Sequence, residues 1–122
     1  MSTDYGLAVD IGTTTITAGL VELARKKEAA CLWLANPQAR FGQDVISRID
    51  YCVKNPAGLM DMRSLAAGAV NLLIKKLSAR AGVSRASIKK AALAGNTAME
   101  HFFLGVQPSG LAQAPYASIL PK

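Results

Sequence analysis

Apolar positions follow two rhythms along this chain. Over residues 7–11 (LAVDI), 16–23 (ITAGLVEL) and 28–36 (EAACLWLAN) they form short runs of strand length bounded by turn residues, which predicts three strands. Gly12-Thr13-Thr14-Thr15 joins the first two and Arg25-Lys26-Lys27 the next pair, connections short enough to make an antiparallel meander. Asn36-Pro37 stops the third strand. The rhythm then changes. Val45, Ile49, Cys52 and Val53 recur at helical spacing behind Gly42 and Asp44, predicting a helix N-capped by Asp44 and ended by Asn55-Pro56. From Leu59 to Ala81, the positions Met62, Leu65, Ala66, Ala69, Val70, Leu73 and Leu77 follow an i, i+3, i+4, i+7 pattern. That is a long amphipathic helix closed by Gly82, with Lys75, Lys76 and Arg80 on its polar side.

A linker containing Ser84 and Ser87, with Lys89 and Lys90 just before the next strand, leads to the apolar run AALAG at 91–95. The helices ahead of this run supply the crossover that parallel pairing with the first strand requires. TAMEHFFLG then reads as a last helix, opened by a capping box of Thr97 and Glu100 and closed at Gly105. The remaining residues, 106–122, contain three prolines and no clear element. The order strand, strand, strand, helix, helix, strand, helix predicts an α/β fold, a mixed sheet of three antiparallel strands plus one parallel strand with flanking helices. This is the ribonuclease H-like plan without its last strand. We therefore expect residues 5–116 to form a first lobe and 117–122 a tail leading towards a second.

Composition narrows the function classes. A chain of 122 residues with 51% hydrophobic content suffices for one domain with a core. No apolar run approaches the ~20 residues that span a bilayer, and Met1–Asp4 lacks the start of a secretory signal, so a cytoplasmic location off the membrane is expected. The net charge of +6 is scattered and aromatics make up only 6%, which argues against a nucleic-acid surface and suits an anionic ligand or an acidic partner. Cys31 and Cys52 share no metal-binding spacing, so both are expected as buried thiols and no iron–sulfur or zinc site is expected within the chain. His101, on an apolar helix face beside Phe102 and Phe103, reads as a packed residue, and Met60, Met62 and Met99 as core filler.

The candidate chemistry lies at the first turn. Asp10 ends a buried strand beside Gly12, Thr13 and Thr14, whose backbone amides can converge on one anion. A carboxylate beside phosphate is electrostatically unfavourable unless a hydrated Mg²⁺ lies between them, so Asp10 is the candidate metal residue, acting through water. No Gly-Lys-Ser/Thr follows and GxGxxG is absent, which excludes the Walker A and dinucleotide fingerprints. The same residues also fit a plain hairpin shaped by Asp10 and Gly12, with the threonines as strand formers. Gly95, Asn96 and Thr97 form a second strand-end motif that would stand beside the first if the two strands are neighbours. Asn96 and Thr97 are candidates, with Asp10, for catalytic roles, although Thr97 as a simple helix cap is an equal alternative.

LAVDIGTTT resembles the phosphate-1 motif of the superfamily of acetate and sugar kinases, heat-shock chaperones and actin. NPQARFGQDVISRI at 36–49 and AGNTAMEHFFLGVQPSGLAQAPY at 94–116 resemble one branch of it, the reductive activators of corrinoid proteins. The resemblance implies an actin-like ATPase lobe that takes ATP and Mg²⁺, with Asp10 holding the metal, Gly12, Thr13 and Thr14 cradling phosphates, and Gly95, Asn96 and Thr97 lining the phosphate side. It implies a corrinoid/iron–sulfur protein as partner, returned from Co(II) to Co(I). The electron would come from a ferredoxin-like iron–sulfur donor on a separate domain or chain. A lone lobe is expected to turn over little ATP. The block RFGQDVISR has no role legible from sequence; Arg40, Gln43, Asp44 and Arg48 fit a partner face, an ATP cleft, or mere capping and pairing along a helix. Two other functions remain in view: a docking or dimerisation module without chemistry, and a small-molecule kinase of the same superfamily. The kinase is disfavoured because Glu100, the nearest acid to the fourth strand's end, is assigned to the capping box.

Overall fold

The computed structural model describes residues 3–105. Strands β1 (Tyr5–Ile11), β2 (Thr15–Glu22) and β3 (Lys27–Ala35) are followed by helices α1 (Val45–Lys54) and α2 (Gly58–Ala81), then β4 (Ile88–Gly95) and α3 (Thr97–Leu104). Single 3₁₀ turns at Pro37–Phe41 and Arg85–Ser87 fill two of the connections. The sheet order is β3-β2-β1-β4, with β1 antiparallel to β2, β2 antiparallel to β3, and β4 parallel to β1. The predicted mixed α/β sheet is thus present. Residues 106–122, including the expected tail, lie outside the described residues.

The core forms between one face of this sheet and the helices. Leu7, Val9 and Ile11 of β1 and Ile16, Ala18 and Leu20 of β2 are buried against Ile49, Met62, Leu73, Leu77, Met99 and Phe102. At the end of α2, Gly82 takes a left-handed φ of 67°, and Val83 N donates to Ser78 O at 2.9 Å, closing the helix with the expected glycine cap. No helix among the described residues is long and apolar enough to cross a membrane.

Several expectations are corrected, most of them because the sheet is covered on one face only. Asp10 is exposed, not buried: inward Val9 and Ile11 alternate with outward Ala8 and Asp10. Cys31 is exposed as well, since it lies on the open face of outer strand β3, opposite Gly19; only Cys52 is buried. Val53 and Met60 point to solvent at 54% and 60% exposure, while Met62 and Met99 are in the core as expected. Lys89 and Lys90 belong to β4, which starts three residues before the apolar run because outer strands accommodate lysine. The N-cap of α3 is Asn96, whose side chain accepts from Met99 N, so the Thr97–Glu100 capping box does not form.

Candidate phosphate-binding turn

Register brings the two strand-end motifs together. Ile11 pairs with Gly95 across the parallel β1–β4 ladder, and beyond it Asn96 Nδ2 donates to Thr13 Oγ1 at 3.3 Å. The contact has a steric condition: a Cβ built on Gly95 would stand 3.0 Å from Ile11 O and 3.2 Å from Met99 Cβ. Gly12 is more constrained still. Its N–H donates to Thr15 O at 2.9 Å, and a Cβ there would lie 2.6 Å from that same oxygen.

The carbonyls of the turn are all taken from the interior. Asn36 Nδ2 donates to Gly12 O at 2.9 Å, Arg48 Nη2 to Thr13 O at 2.8 Å, and Asn36 N to Thr14 O at 2.8 Å. In a trans peptide the C=O of one residue and the N–H of the next point in opposite directions. The Thr13, Thr14 and Thr15 amides are therefore turned away from the buried donors. Among the described residues neither Thr13 N nor Thr14 N donates to a protein acceptor. Successive outward amides form the concavity that receives anions.

Behind the turn stands a buried polar network. Asn36, Gln38 and Arg48 are each 1% exposed. Asn36 Oδ1 accepts from Gln38 N at 3.0 Å, Gln38 Nε2 donates to Met62 O at 2.9 Å, and Arg48 Nη1 donates to Gln38 Oε1 at 3.4 Å. Arg48 Nε also donates to Gly42 O at 2.7 Å. Burial pushes the Arg48 pKa down from its ordinary value, and the charge of Asp44 opposes that shift. Asp44 itself caps α1 by accepting from Ser47 N at 2.7 Å, which holds its carboxyl below the usual range. Within the RFGQDVISR block, then, Asp44 caps its helix as one expectation had it, but Arg48 turns inward to the turn, and Arg40 and Gln43 are exposed.

The open side of the turn carries the opposite charge. Asp10, on the uncovered sheet face between Thr17 of β2 and Ala94 of β4, is next to the turn along the chain. It lines a shallow trough with Ala8, Gly19, Cys31 and Ala92. Asn96 uses both ends of its amide, on Thr13 and on its own helix. Thr97 is exposed at the first position of α3, and His101 is buried with Nδ1 2.7 Å from Thr97 O, so Nδ1 carries the proton of that bond. Glu100, free of the capping box, is exposed in the first turn of α3 and lines an apolar concavity of about 340 Å³ with Gly95 and Phe103. Among the described residues no group of three or more His, Cys, Asp or Glu is placed to hold a metal.

Sequence reasoning missed Asn36 and Gln38 as parts of the site and left Arg48 open between a partner face, an ATP cleft and pairing along its helix. A signal for Arg48 existed: Val45, Arg48, Ile49 and Cys52 are spaced i, i+3, i+4, i+7, which puts the arginine on the apolar stripe and Val53 off it.

The comparisons with known proteins agree with one another. The corrinoid activation enzyme RamQ of Eubacterium limosum is 33% identical over 116 residues, which span 92% of this chain and 19% of RamQ. A solved structure described as a reductive activator for corrinoid, iron–sulfur protein superposes with a TM-score of 0.94 at 41% identity, over 96% of this chain and 19% of the other. This chain thus spans about a fifth of the length of each relative. The family model for the RACo middle region matches residues 5–122, and the chain belongs to that family.

Proposed function

We propose that this chain is the phosphate-binding lobe of an ATP-dependent reductive activator, serving a corrinoid/iron–sulfur methyl-transfer protein. The single observation that carries the reading is the turn 12–14, with its three carbonyls held from within and its Thr13 and Thr14 amides free outward. Kinship with a corrinoid activation enzyme and a reductive activator supports the partner class.

The residues fit Mg²⁺-nucleotide. Thr13 and Thr14 offer amides to phosphate oxygens, and Gly12 permits the close approach of backbone on which the turn depends. Asp10, exposed and the only carboxylate within the DIGTTT run, is suited to bind metal-coordinated water, because Mg²⁺ keeps several of its waters. Asn96 links the Gly95 strand end to Thr13, so phosphate contacts at one motif reach the other. When bound, ATP supplies the free energy to drive an electron to a low-potential cobalt centre; the electron itself comes from an iron–sulfur donor outside this chain. This reading keeps the ribonuclease H-like, actin-like assignment, with nucleotide held between this lobe and a second.

The test is calorimetric titration of Mg-ATP and Mg-ADP into this chain and into the longest polypeptide its coding sequence specifies, beside Asp10→Ala. Magnesium-dependent binding that Asp10→Ala abolishes is the expected result. Absence of binding in both polypeptides would overturn the reading in favour of a docking module, which the open sheet face and Trp33, 68% exposed, would serve. Phosphoryl transfer to small-molecule hydroxyls with Glu100 as base is the kinase outcome; kinship with corrinoid activators weighs against it.

A further inference from the structure

Arg48 is the largest fully buried side chain among the described residues, at 1% exposure, yet it ion-pairs with no carboxylate among them. Its hydrogen-bond acceptors are neutral: Thr13 O, Gly42 O and Gln38 Oε1 at 2.8, 2.7 and 3.4 Å, with Met99 Sδ at 3.9 Å. Burying a cation in that way is unfavourable, and a neutral amide donor would satisfy the same carbonyls. The charge therefore calls for an explanation beyond packing.

The explanation lies in one peptide group. Thr13 O, which accepts from the guanidinium, and Thr14 N–H, which faces outward, belong to the same peptide plane. A cation on the oxygen withdraws density from the nitrogen and strengthens its N–H as a donor. We propose that Arg48 is a positioning residue for phosphate. Its guanidinium aims and polarises the Thr14 amide through the 13–14 peptide, and its buried charge is balanced by the anion that the turn receives. The inference rests on the phosphate reading of the turn given above. Lysine, a point charge without the planar fork, would supply charge without holding Thr13 O and Gly42 O together.

The experiment is calorimetric titration of Mg-ADP into wild type, Arg48→Lys, Arg48→Gln and the remote Lys76→Gln, at one ionic strength, with folding monitored by circular dichroism. Arg48→Gln should weaken binding about tenfold or more, the scale of one charged hydrogen bond. Arg48→Lys should recover a clear part of that loss, and Lys76→Gln should stay within about twofold of wild type. Equal weakening by Lys and Gln would make Arg48 a packing residue and overturn the proposal, as would a folded Arg48→Gln that binds like wild type. A second arm needs no variant: in ¹⁵N-resolved NMR of wild type, added Mg-ADP should shift the Arg48 Nε–H resonance together with the Thr14 amide. Movement of Thr14 with Arg48 unmoved would overturn the proposal even if the variants do not fold. Wild type that neither binds Mg-ADP nor shifts its Thr13 and Thr14 amides, as this chain and as the longest polypeptide its coding sequence specifies, would overturn the phosphate reading itself, an outcome distinct from a failure of Arg48 alone.

Discussion

Replacing Asn36 by alanine tests whether the turn is held from the interior. Asn36 is 1% exposed; its Nδ2 donates to Gly12 O at 2.9 Å and to Met99 Sδ at 3.8 Å, and its Oδ1 accepts from Gln38 N at 3.0 Å. Alanine keeps the backbone bond to Thr14 O and removes all three, of which the long contact to sulfur is the weakest and is left out of the sum. Each lost bond is worth ~1 kcal/mol net, and a buried partner left unsatisfied costs about 1–3 kcal/mol. Gln38 N is enclosed and pays the larger figure, whereas water can reach the half-buried Gly12, so the sum is about 2–4 kcal/mol. Against a typical domain stability of ~5–15 kcal/mol that is a large fraction, and Tm should fall by roughly 10–20 °C. Urea unfolding followed by circular dichroism measures it; Trp33, exposed in the folded state, is a poor fluorescence probe. Asn36→Asp sharpens the test, because a carboxylate keeps the acceptor but cannot donate to Gly12 O. Protonated at low pH it can. Burial raises the folded-state pKa of such an acid, so Asn36→Asp should lose stability as pH rises above about 4. A loss below about 0.5 kcal/mol for Asn36→Ala, within the range of ordinary surface substitutions, would refute the interior-held turn.

Two further predictions concern backbone space and titration. Gly12→Ala places a methyl 2.6 Å from Thr15 O, so the hairpin must open; we expect a stability loss above about 2 kcal/mol and loss of Mg-ADP binding, read by urea titration and calorimetry. The Cys52 thiol, pushed up from 9.0 to about 11 mainly by burial and secondarily by Asp61, keeps its proton in the folded chain while the unfolded chain sheds it above about pH 9. Its contribution to stability is therefore complete below pH 9 and lost as pH rises to about 11, at up to ~1.4 kcal/mol per pH unit. The wild-type pH slope of unfolding free energy over that window, minus the slope of Cys52→Ala, isolates the effect; equal slopes would contradict it.

Elements were legible wherever the chain's own periodicity decides them. The meander, the long α2 stripe with its Gly82 cap, and the parallel β4 follow from local pattern and the crossover requirement. Asp10 was misplaced because a run such as LAVDI fits a strand buried on both faces as well as one buried on a single face. Only the side on which α1, α2 and α3 settle distinguishes them. Asn96 displaced Thr97 as cap because both are good capping residues one position apart, and the end of β4 set which one stayed extended. The interior of the site was least legible. Gly12 is held by a residue 24 positions away and Thr13 by one 35 positions away, separations at which pattern along the chain carries no information.

Charge order gives the arrangement its logic. A hairpin needs no buried arginine, since strand pairing and the Gly12 N to Thr15 O bond already close it. Yet Asn36 and Arg48 spend their donors on its carbonyls, Gln38 braces both, and an exposed carboxylate stands on the other side of the sheet. A buried cation without a carboxylate partner is unfavourable taken alone, and an exposed aspartate would repel a phosphate held by the neighbouring amides. On the proposed reading the two are complementary. From inside outward the sequence runs guanidinium, polarised peptide, phosphate, hydrated Mg²⁺, Asp10, so that every charge faces one of opposite sign. Removing Asp10 or Arg48 breaks that alternation at opposite ends. Losing Asp10 should abolish the magnesium-dependent binding, whereas losing Arg48 should weaken binding while leaving its magnesium dependence in place.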